Sequence, residues 1–387
     1  MTNKLKKLAI YIHIPFCIRK CLYCDFLSAP AGESERKNYV EALCREIAWE
    51  SQSYVDYQVS TIFIGGGTPS LLSGEQIKQI LGSVYEHYRV EKNCEISLEA
   101  NPGTLTLEKL KYWREAGVNR LSIGLQSAID SELKALGRIH NSGMFFQSYE
   151  IAVKSGFNNI NIDLMSAIPG QSIESYQETL HKVTGLNPPP SHISAYSLII
   201  EEGTPFYENT PKLPDEDSER EMYKITNDIL SRQGYVQYEI SNYARPGFAC
   251  RHNQVYWRRG NYVGFGIGAA SMVENVRFNN IRDYASYVNH DKNVAIKENI
   301  RQLSLQEQME EYMFLGLRMT NGVSEEEFLK NFGSAIDQIY PGIVEDFCQK
   351  GLLKREAEAK TGEHRIFLTR YGIDVSNVVM AEFLLTC

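Results

Sequence analysis

The strongest constraint on this chain is a strand–helix alternation that runs through its first half. Short β-branched apolar runs recur as LAIYIHI (8–14), TIFIGG (61–66), EISLEA (95–100), RLSIGLQ (120–126), NINIDLM (159–165) and HISAYSLII (192–200). Amphipathic stretches with helical spacing separate them, for example at 37–52, 73–89, 106–116 and 172–184. Strands this short with helices between them imply βαβ crossovers and a parallel sheet. Six such units build a barrel-like sheet, either partial or completed by later strands. Glu99, Asn101, Gln126 and Asp163 fall where strands should end. Singly each reads as a solvated loop residue, but four in register point to a site, because the carboxyl ends of the strands form the active face of such folds.

At 387 residues the chain exceeds one average domain. Residues 1–235 are expected to form the barrel, 236–300 a connecting segment and 301–387 a separate C-terminal unit. In the middle segment, YVQYEISNYA (235–244) alternates like a strand. NYVGFGIGAASM (261–272) has the small residues of a backbone that passes close to a ligand or another strand. PKLPDEDSERE (211–221) reads as an exposed loop leading into a helix. Beyond 301, LQEQMEEYMFLGLRM and IVEDFCQKGLLKR read as helices, the second ended by Gly351. Ser324 and Glu327 are spaced as a capping box, and HRIFLTRYGIDVSNVVMAEFL reads as a strand pair followed by a helix. Three helices and a strand ribbon make an α+β, winged-helix-like unit. No dense basic stripe accompanies it, so a packing or partner role is expected rather than DNA binding.

The composition, 43% hydrophobic and 23% charged, is that of a soluble globular protein. A net charge of −8 provides no basic field for nucleic acid. No apolar run reaches the roughly 18 residues of a membrane span, so no integral membrane segment is expected. The basic start MTNKLKKLAIYIHIPF is interrupted by His13 and Pro15, which argues against a cleaved signal peptide. A cytoplasmic location follows as the expectation, and in a reducing compartment clustered thiols bind metal more often than they pair.

YIHIPFCIRKCLYCDFLS places Cys17, Cys21 and Cys24 at C-x3-C-x2-C spacing on one loop after the first strand. Zinc sites usually complete four protein ligands with paired cysteines or histidines. Three thiols on one short loop suit three corners of a [4Fe-4S] cluster, with the fourth iron left open to a small molecule. The alternatives are three unrelated thiols, or a zinc site that borrows His13. Cys44, Cys94, Cys250, Cys348 and Cys387 are scattered and read as core or surface residues. Gly65, Gly66 and Gly67 after an apolar strand let the backbone approach a ligand, and match neither the dinucleotide nor the Walker fingerprint.

With these features the chain resembles the radical S-adenosylmethionine (SAM) proteins, and YIHIPFC in particular the oxygen-independent coproporphyrinogen III oxidases. The resemblance continues through GGGTPS (65–70), SLEANPGT (97–104), RLSIGLQS (120–127), LGRIH (136–140) and NIDLMSAIPGQ (161–171), and covers nearly the whole chain. It implies a radical SAM partial (β/α)6 TIM-like barrel. It also implies that the open iron chelates SAM, and that one electron from the reduced cluster cleaves the sulfonium to a 5'-deoxyadenosyl radical. By resemblance Tyr11, Gly66 and Glu99 contact that SAM, and Tyr23, Gly67, Thr68, Gln126, Arg138 and Asp163 match the positions of a second one. Ser197 and Ala270 match two further cofactor positions. His140 and His192 read as structural. No catalytic residue is assigned.

The decarboxylating oxidases carry a fourth cysteine two residues beyond the third, where this chain has Phe26, and a long N-terminal arm that is almost absent here. RHNQVYW (251–257) contains H-N-x-x-Y-W, a mark of the related haem chaperone branch. Alone, a histidine beside two aromatics is usually a hydrogen-bonded core residue. With Phe26 and the short arm, the heptad points to haem held by His252, Asn253, Tyr256 and Trp257, with His252 as axial ligand or as an orienting group. The resemblance therefore implies a haem chaperone with a [4Fe-4S] cluster and SAM, acting in porphyrin metabolism. Its expected partners are haem, a haem-acceptor protein and an electron donor, and a homodimer is left open. The competing readings are a coproporphyrinogen III dehydrogenase and a winged-helix regulator that senses through the cluster.

Overall fold

The computed structural model describes residues 5–292, 294–357 and 362–385; Cys387 and the first four residues lie outside them. Strands β1 (Lys6–Ile14), β2 (Tyr57–Gly66), β3 (Val90–Ala100), β4 (Arg120–Gln126), β5 (Ile160–Ser166) and β6 (His192–Ser197) run parallel, in chain order. Their two faces differ sharply. Ile10, Ile12, Ile62, Ile64, Leu98, Leu121, Ile123, Ile162 and Leu164 are fully buried in the main core. They pack under crossover helices that include Glu33–Glu50, Gly74–His87, Leu107–Glu115 and Ile173–Thr184. The alternate residues Glu99, Arg120, Ser122, Asn161, Asp163 and Ser194 line an internal cavity. A (β/α) barrel ordinarily fills its interior with bulky apolar layers. Polar groups there are costly unless they find partners, which marks this lumen as a binding space.

The crossover from β4 to β5 uses helices Asp130–Ala135 and Ser142–Lys154. The second buries Phe145, Ser148, Tyr149 and Ala152, a mixed face that weakens its periodic signal. Residues 235–244 are two strands rather than one. β7 (Val236–Glu239) turns back into β8 (Asn242–Ala244), and the Ser241 amide donates to Glu239 Oε1 at 3.0 Å in the turn. β9 (Tyr262–Phe265) pairs parallel with β1, and β10 (Ala270–Val273), β11 (Val276–Asn280) and β12 (Lys297–Gln302) follow antiparallel. The sheet order is β12-β11-β10-β9-β1-β2-β3-β4-β5-β6-β8-β7. Residues 236–300, expected as a connecting segment, thus extend both edges of the barrel sheet, the last strand running on to Gln302.

The C-terminal unit has its own core around Phe328, Tyr340 and Phe383. Its sheet joins β13 (Val323–Ser324), β14 (Leu353–Ala357) and β15 (His364–Leu368) in the order β13-β15-β14. HRIFLTRYGIDVSNVVMAEFL therefore supplies one strand, not two. Its partner β14 lies upstream, and two short helices, Arg370–Asp374 and Ser376–Ala381, follow it. Ser324 Oγ caps the Glu325–Phe332 helix by accepting from the Glu327 amide at 3.1 Å. The reciprocal bond of a capping box is missing, because the Glu327 carboxylate accepts from Tyr312 Oη instead. The two units are stitched by Ile240 N–H to Arg318 O and Thr320 N–H to Tyr238 O, both 3.1 Å. Among the described residues no helix is long and apolar enough to cross a membrane.

Candidate functional site

The thiol loop leaves β1 and is pinned at both ends. Cys17 N–H bonds Ala29 O, and Ala29 N–H returns to Pro15 O at 2.9 Å. Leu22 ties the loop to its neighbours: its N–H donates to Leu136 O, and its carbonyl accepts from Phe206 N–H. Cys17, Cys21 and Cys24 carry no disulfide and all line one cavity of about 360 Å³ at the carboxyl ends of the strands. Among the described residues no three His, Cys, Asp or Glu side chains stand close enough to hold a single metal ion. The three thiols face one cavity, a donor set that suits a multi-iron cluster.

A chain of hydrogen bonds joins two of these sulfurs. Cys17 Sγ lies 3.4 Å from Thr68 Oγ1, which accepts from Asn101 Nδ2 at 2.9 Å. Asn101 Oδ1 accepts from Arg138 Nη2 at 2.8 Å, and Arg138 Nη1 donates to Cys21 Sγ at 3.7 Å. Tyr23, Gly66, Gly67, Thr68, Glu99, Gln126, Arg138 and Asp163 line the same cavity as the thiols. Gln126 adopts φ 68°, a strained conformation for a side-chain-bearing residue and one that clusters at functional sites. The glycine loop is pressed against its surroundings. A Cβ at Gly67 would sit 3.0 Å from Cys17 Sγ, and one at Gly66 would lie 2.7 Å from His13 Nδ1. Three thiols, a backbone held this close and a guanidinium beside one sulfur form a donor set that fits a cluster and SAM.

The second cavity, about 260 Å³, continues from the first into the lumen and shares Phe26, Gly66, Glu99, Asp163 and Tyr196 with it. Tyr11 lines it, its hydroxyl 3.0 Å from His13 Nδ1, and burial pushes that phenol well up. Glu99 Oε2 accepts from Gly66 N–H at 3.1 Å. Burial, reinforced by Asp163, pushes the Glu99 carboxyl up to about 8. Asp163, also raised by burial, accepts from Asn161 at 2.7 Å and Ser122 at 3.2 Å. Arg120 lines this lumen fully buried, with Ser97 Oγ at 3.5 Å from Nη1 and no partner for Nε.

The RHNQVYW heptad is the helix Arg251–Trp257, packed against β2 and β3 at Thr61 and Glu95. Arg251 reaches Asn93 O at 2.7 Å, and the Glu95 carboxylate accepts the amides of Arg251 and His252 at 3.1 and 3.0 Å. His252 is 1% exposed. Its Nδ1 lies 2.9 Å from Thr61 Oγ1, and its Nε2 2.9 Å from Tyr256 Oη. Burial, then the nearby Arg120 charge, pushes its pKa down to about 3. Both ring nitrogens are therefore engaged, as in a satisfied core histidine. Asn253 and Tyr256 line the lumen. Trp257 points elsewhere, stacked 4.4 Å under the Arg318 guanidinium of the C-terminal unit.

Ser197 and Ala270 line neither cavity. Ser197 Oγ faces Ser166 Oγ at 3.3 Å, and Ala270 is exposed on β10. His192 is structural, bridging Asn161 at 2.6 Å and Tyr238 at 2.8 Å, and His140 faces Leu125 O. Sequence reasoning missed Arg120, Ser122, Asn161, Ser194 and Tyr196. Their common signal is a polar residue at every second position of a strand whose other face is apolar.

The radical SAM superfamily model matches residues 11–183, and the HemN C-terminal domain model matches residues 303–375. A Bacillus subtilis protein named heme chaperone HemW is 37% identical over 381 residues, 97% of this chain and 98% of that one. The protein of the same name from Escherichia coli is 43% identical over 271 residues, 70% of this chain and 71% of that one. Among solved structures, E. coli coproporphyrinogen III oxidase (HemN), described as a radical SAM enzyme, superposes with a TM-score of 0.83. The match covers 99% of this chain and 92% of that chain at 22% identity, a likeness of fold. Near-full-length similarity of this kind, with a thiol loop and glycine loop facing one cavity, makes the chain a radical SAM superfamily member of the HemN-like family, in the branch of the HemW heme chaperones.

Proposed function

We propose that the chain is a haem chaperone that carries one [4Fe-4S] cluster on Cys17, Cys21 and Cys24, binds SAM, and delivers haem to an acceptor protein in the cytoplasm. The observation that carries this reading is Phe26. It stands where the resembled oxidases hold a fourth cysteine, and its ring is 59% exposed while lining both cavities. Cys44, Cys94, Cys250 and Cys348 line neither cavity, so among the described residues no further thiol is at hand to replace the missing one.

When bound, the cluster and SAM supply one-electron cleavage of a sulfonium. The chain's own groups bind and orient. Tyr11, Gly66 and Glu99 would hold SAM from the lumen side. Tyr23, Gly67, Thr68, Gln126, Arg138 and Asp163 would hold it, or a second copy, from the thiol side. Glu99 and Asp163 are each set by neighbouring donors and can accept from ribose hydroxyls. The heptad enters as the floor of the lumen. Asn253 and Tyr256 present polar groups to a ligand, His252 orients Tyr256, and Trp257 links the floor to the C-terminal unit. Ligation of haem iron by His252 would first require breaking its bond to Tyr256 or to Thr61. An electron donor and an acceptor protein complete the reading, and a homodimer is compatible with it.

The test pairs two measurements on anaerobically reconstituted protein. Saturable one-to-one haem uptake, with no vinyl-bearing product from coproporphyrinogen III, SAM and a reductant, is expected. Many turnovers of decarboxylation without haem uptake would establish the dehydrogenase instead.

A further inference from the structure

Exposed apolar side chains stand on and beside the thiol loop, and two of them, Phe26 and Tyr196, line its cavity. Ile18, Leu22 and Phe26 belong to the thiol loop and are 58%, 37% and 59% exposed. Ile139, 49% exposed, lies in a cleft beside Ile18, and Tyr196, 38% exposed, lines the cavity with Phe26. Single exposed apolar residues are ordinary on a protein surface. Phe26 and Tyr196 differ in lining the cavity itself while staying exposed, and an exposed apolar face at a cavity marks a ligand-binding surface.

These residues are held together by the backbone. Leu22 N–H bonds Leu136 O at 3.1 Å, and Arg19 Nη2 bonds Gly137 O at 2.8 Å, which fixes the loop beside residues 136–140. Ile18 and Ile139 flank one narrow cleft with Cys21 and Arg138. Phe26 and Tyr196 line both cavities at their junction.

The patch also carries positive charge. Arg19 and Lys20 are exposed on the same loop, against one acid, Asp25. Lys20 makes no ion pair within 4.0 Å among the described residues. An exposed apolar face edged by cations is complementary to a flat, apolar ligand with carboxylate arms. The lumen by His252 is smaller, about 260 Å³, is lined by the ionisable groups of Glu99, Arg120 and Asp163, and holds a histidine with both nitrogens engaged.

We propose that haem docks on this rim, with its macrocycle against Phe26 and Tyr196 and a propionate toward Lys20 and Arg19, which line the same cavity, and not on the HNxxYW helix. The proposal rests on the haem reading above and adds the place and the polarity of the site. It gives Phe26 a use: where a thiol would serve chemistry, an aromatic ring serves as a platform.

The test is a Soret titration of the full-length protein with hemin and with hemin dimethyl ester. Phe26→Glu is expected to raise the hemin Kd at least tenfold. Lys20→Glu should raise it about threefold to tenfold for hemin and much less for the ester. Val55→Glu, at an exposed apolar position in the turn before β2, is the control and should bind hemin as wild type does. The altered positions are exposed, and unchanged thermal unfolding checks that each variant folds. Wild-type affinity in the rim variants, with loss confined to His252→Gln, would overturn the rim site and leave the haem reading intact. If the wild type binds hemin only weakly and without saturation, the haem reading itself falls, and the rim site with it.

Discussion

Arg138 Nη1 donates to Cys21 Sγ at 3.7 Å, and the same guanidinium holds Asn101, which reaches Thr68 and through it Cys17. One buried cation thus organises two of the three thiols. Arg138→Gln breaks this chain and removes a charge-assisted donor, a type of bond worth roughly 1.5–3 kcal/mol. The variant should bind SAM roughly tenfold to a hundredfold more weakly and retain less iron after anaerobic reconstitution. Iron analysis and equilibrium dialysis check both. Wild-type values in each would take Arg138 out of the site.

Cys17, Cys21 and Cys24 line one cavity, while the other described cysteines lie elsewhere. Replacing all three with Ala should abolish the broad visible absorbance of a thiolate-bound iron cluster. Cys44→Ala should leave it unchanged. Reconstitution of the triple variant to wild-type iron content would disprove the ligand assignment.

Glu99 has a folded pKa raised to about 8 by burial and then by Asp163. For an acid the sign follows directly. Between its ordinary value of 4.5 and about 8 the folded state holds a proton that the unfolded state has lost, so stability falls as pH rises through that window. Thermal melts from pH 5 to 8 should show this decline. Glu99→Gln should flatten it and stabilise the protein at pH 8 by on the order of 2–4 kcal/mol. Part of the slope should persist, because burial also raises Glu46 to about 7. An identical slope in the variant would mean that Glu99 titrates normally.

His252 has the opposite linkage. Its folded pKa is lowered to about 3 by burial and then by Arg120, so stability is complete above its ordinary 6.5 and is lost as pH falls below it. His252→Ala strips partners from the Thr61 and Tyr256 hydroxyls, and should cost about 2–4 kcal/mol at pH 7 in urea unfolding. The deficit should shrink toward pH 4, where the wild type bears the burden of a buried neutral imidazole. A cost that is constant across this range would show that His252 is accessible to protons in the fold.

Glu311 is paired with Arg259 at 3.1 Å and Arg277 at 2.9 Å, between the C-terminal unit and the strands at the sheet edge. Glu311 and Arg259 are both nearly buried, so removing the acid leaves a cation without its counter-charge. Glu311→Ala should lower unfolding free energy by about 3 kcal/mol and expose the link between the units to limited proteolysis. Wild-type stability and protease resistance would assign the cohesion of the two units to the Ile240–Arg318 stitch alone.

Much of this architecture was legible because it repeats. The runs at 8–14, 61–66, 95–100, 120–126, 159–165 and 192–200 became β1 to β6, and the polar residues at their ends, Glu99, Asn101, Gln126 and Asp163, line the cavity. Legibility failed where pairing is non-local. The 235–244 stretch alternates throughout, yet the chain reverses inside it because β8 pairs with β6 as well as with β7. β15 looked like half of a hairpin, but its partner β14 lies across a gap in sequence. Arg120, a charge at the start of a strand, reads as solvent-exposed until the register of β3 and β4 sets it beside Ser97.

The sequence alone determined the parallel sheet, the thiol loop, the loss of a fourth cysteine at Phe26 and the family. Each of these is encoded in local spacing or in the identity of a residue. Only the tertiary structure decided where His252 and Phe26 stand. His252 is closed off by partners 191 and 157 residues away, Thr61 and Glu95, so a motif that looked ligand-ready is part of a floor. Phe26 is left open because among the described residues no segment covers its ring, so a residue that marked an absence stands exposed at the cavity. Burial depends on which distant segments pack against a side chain, and local sequence does not specify that packing.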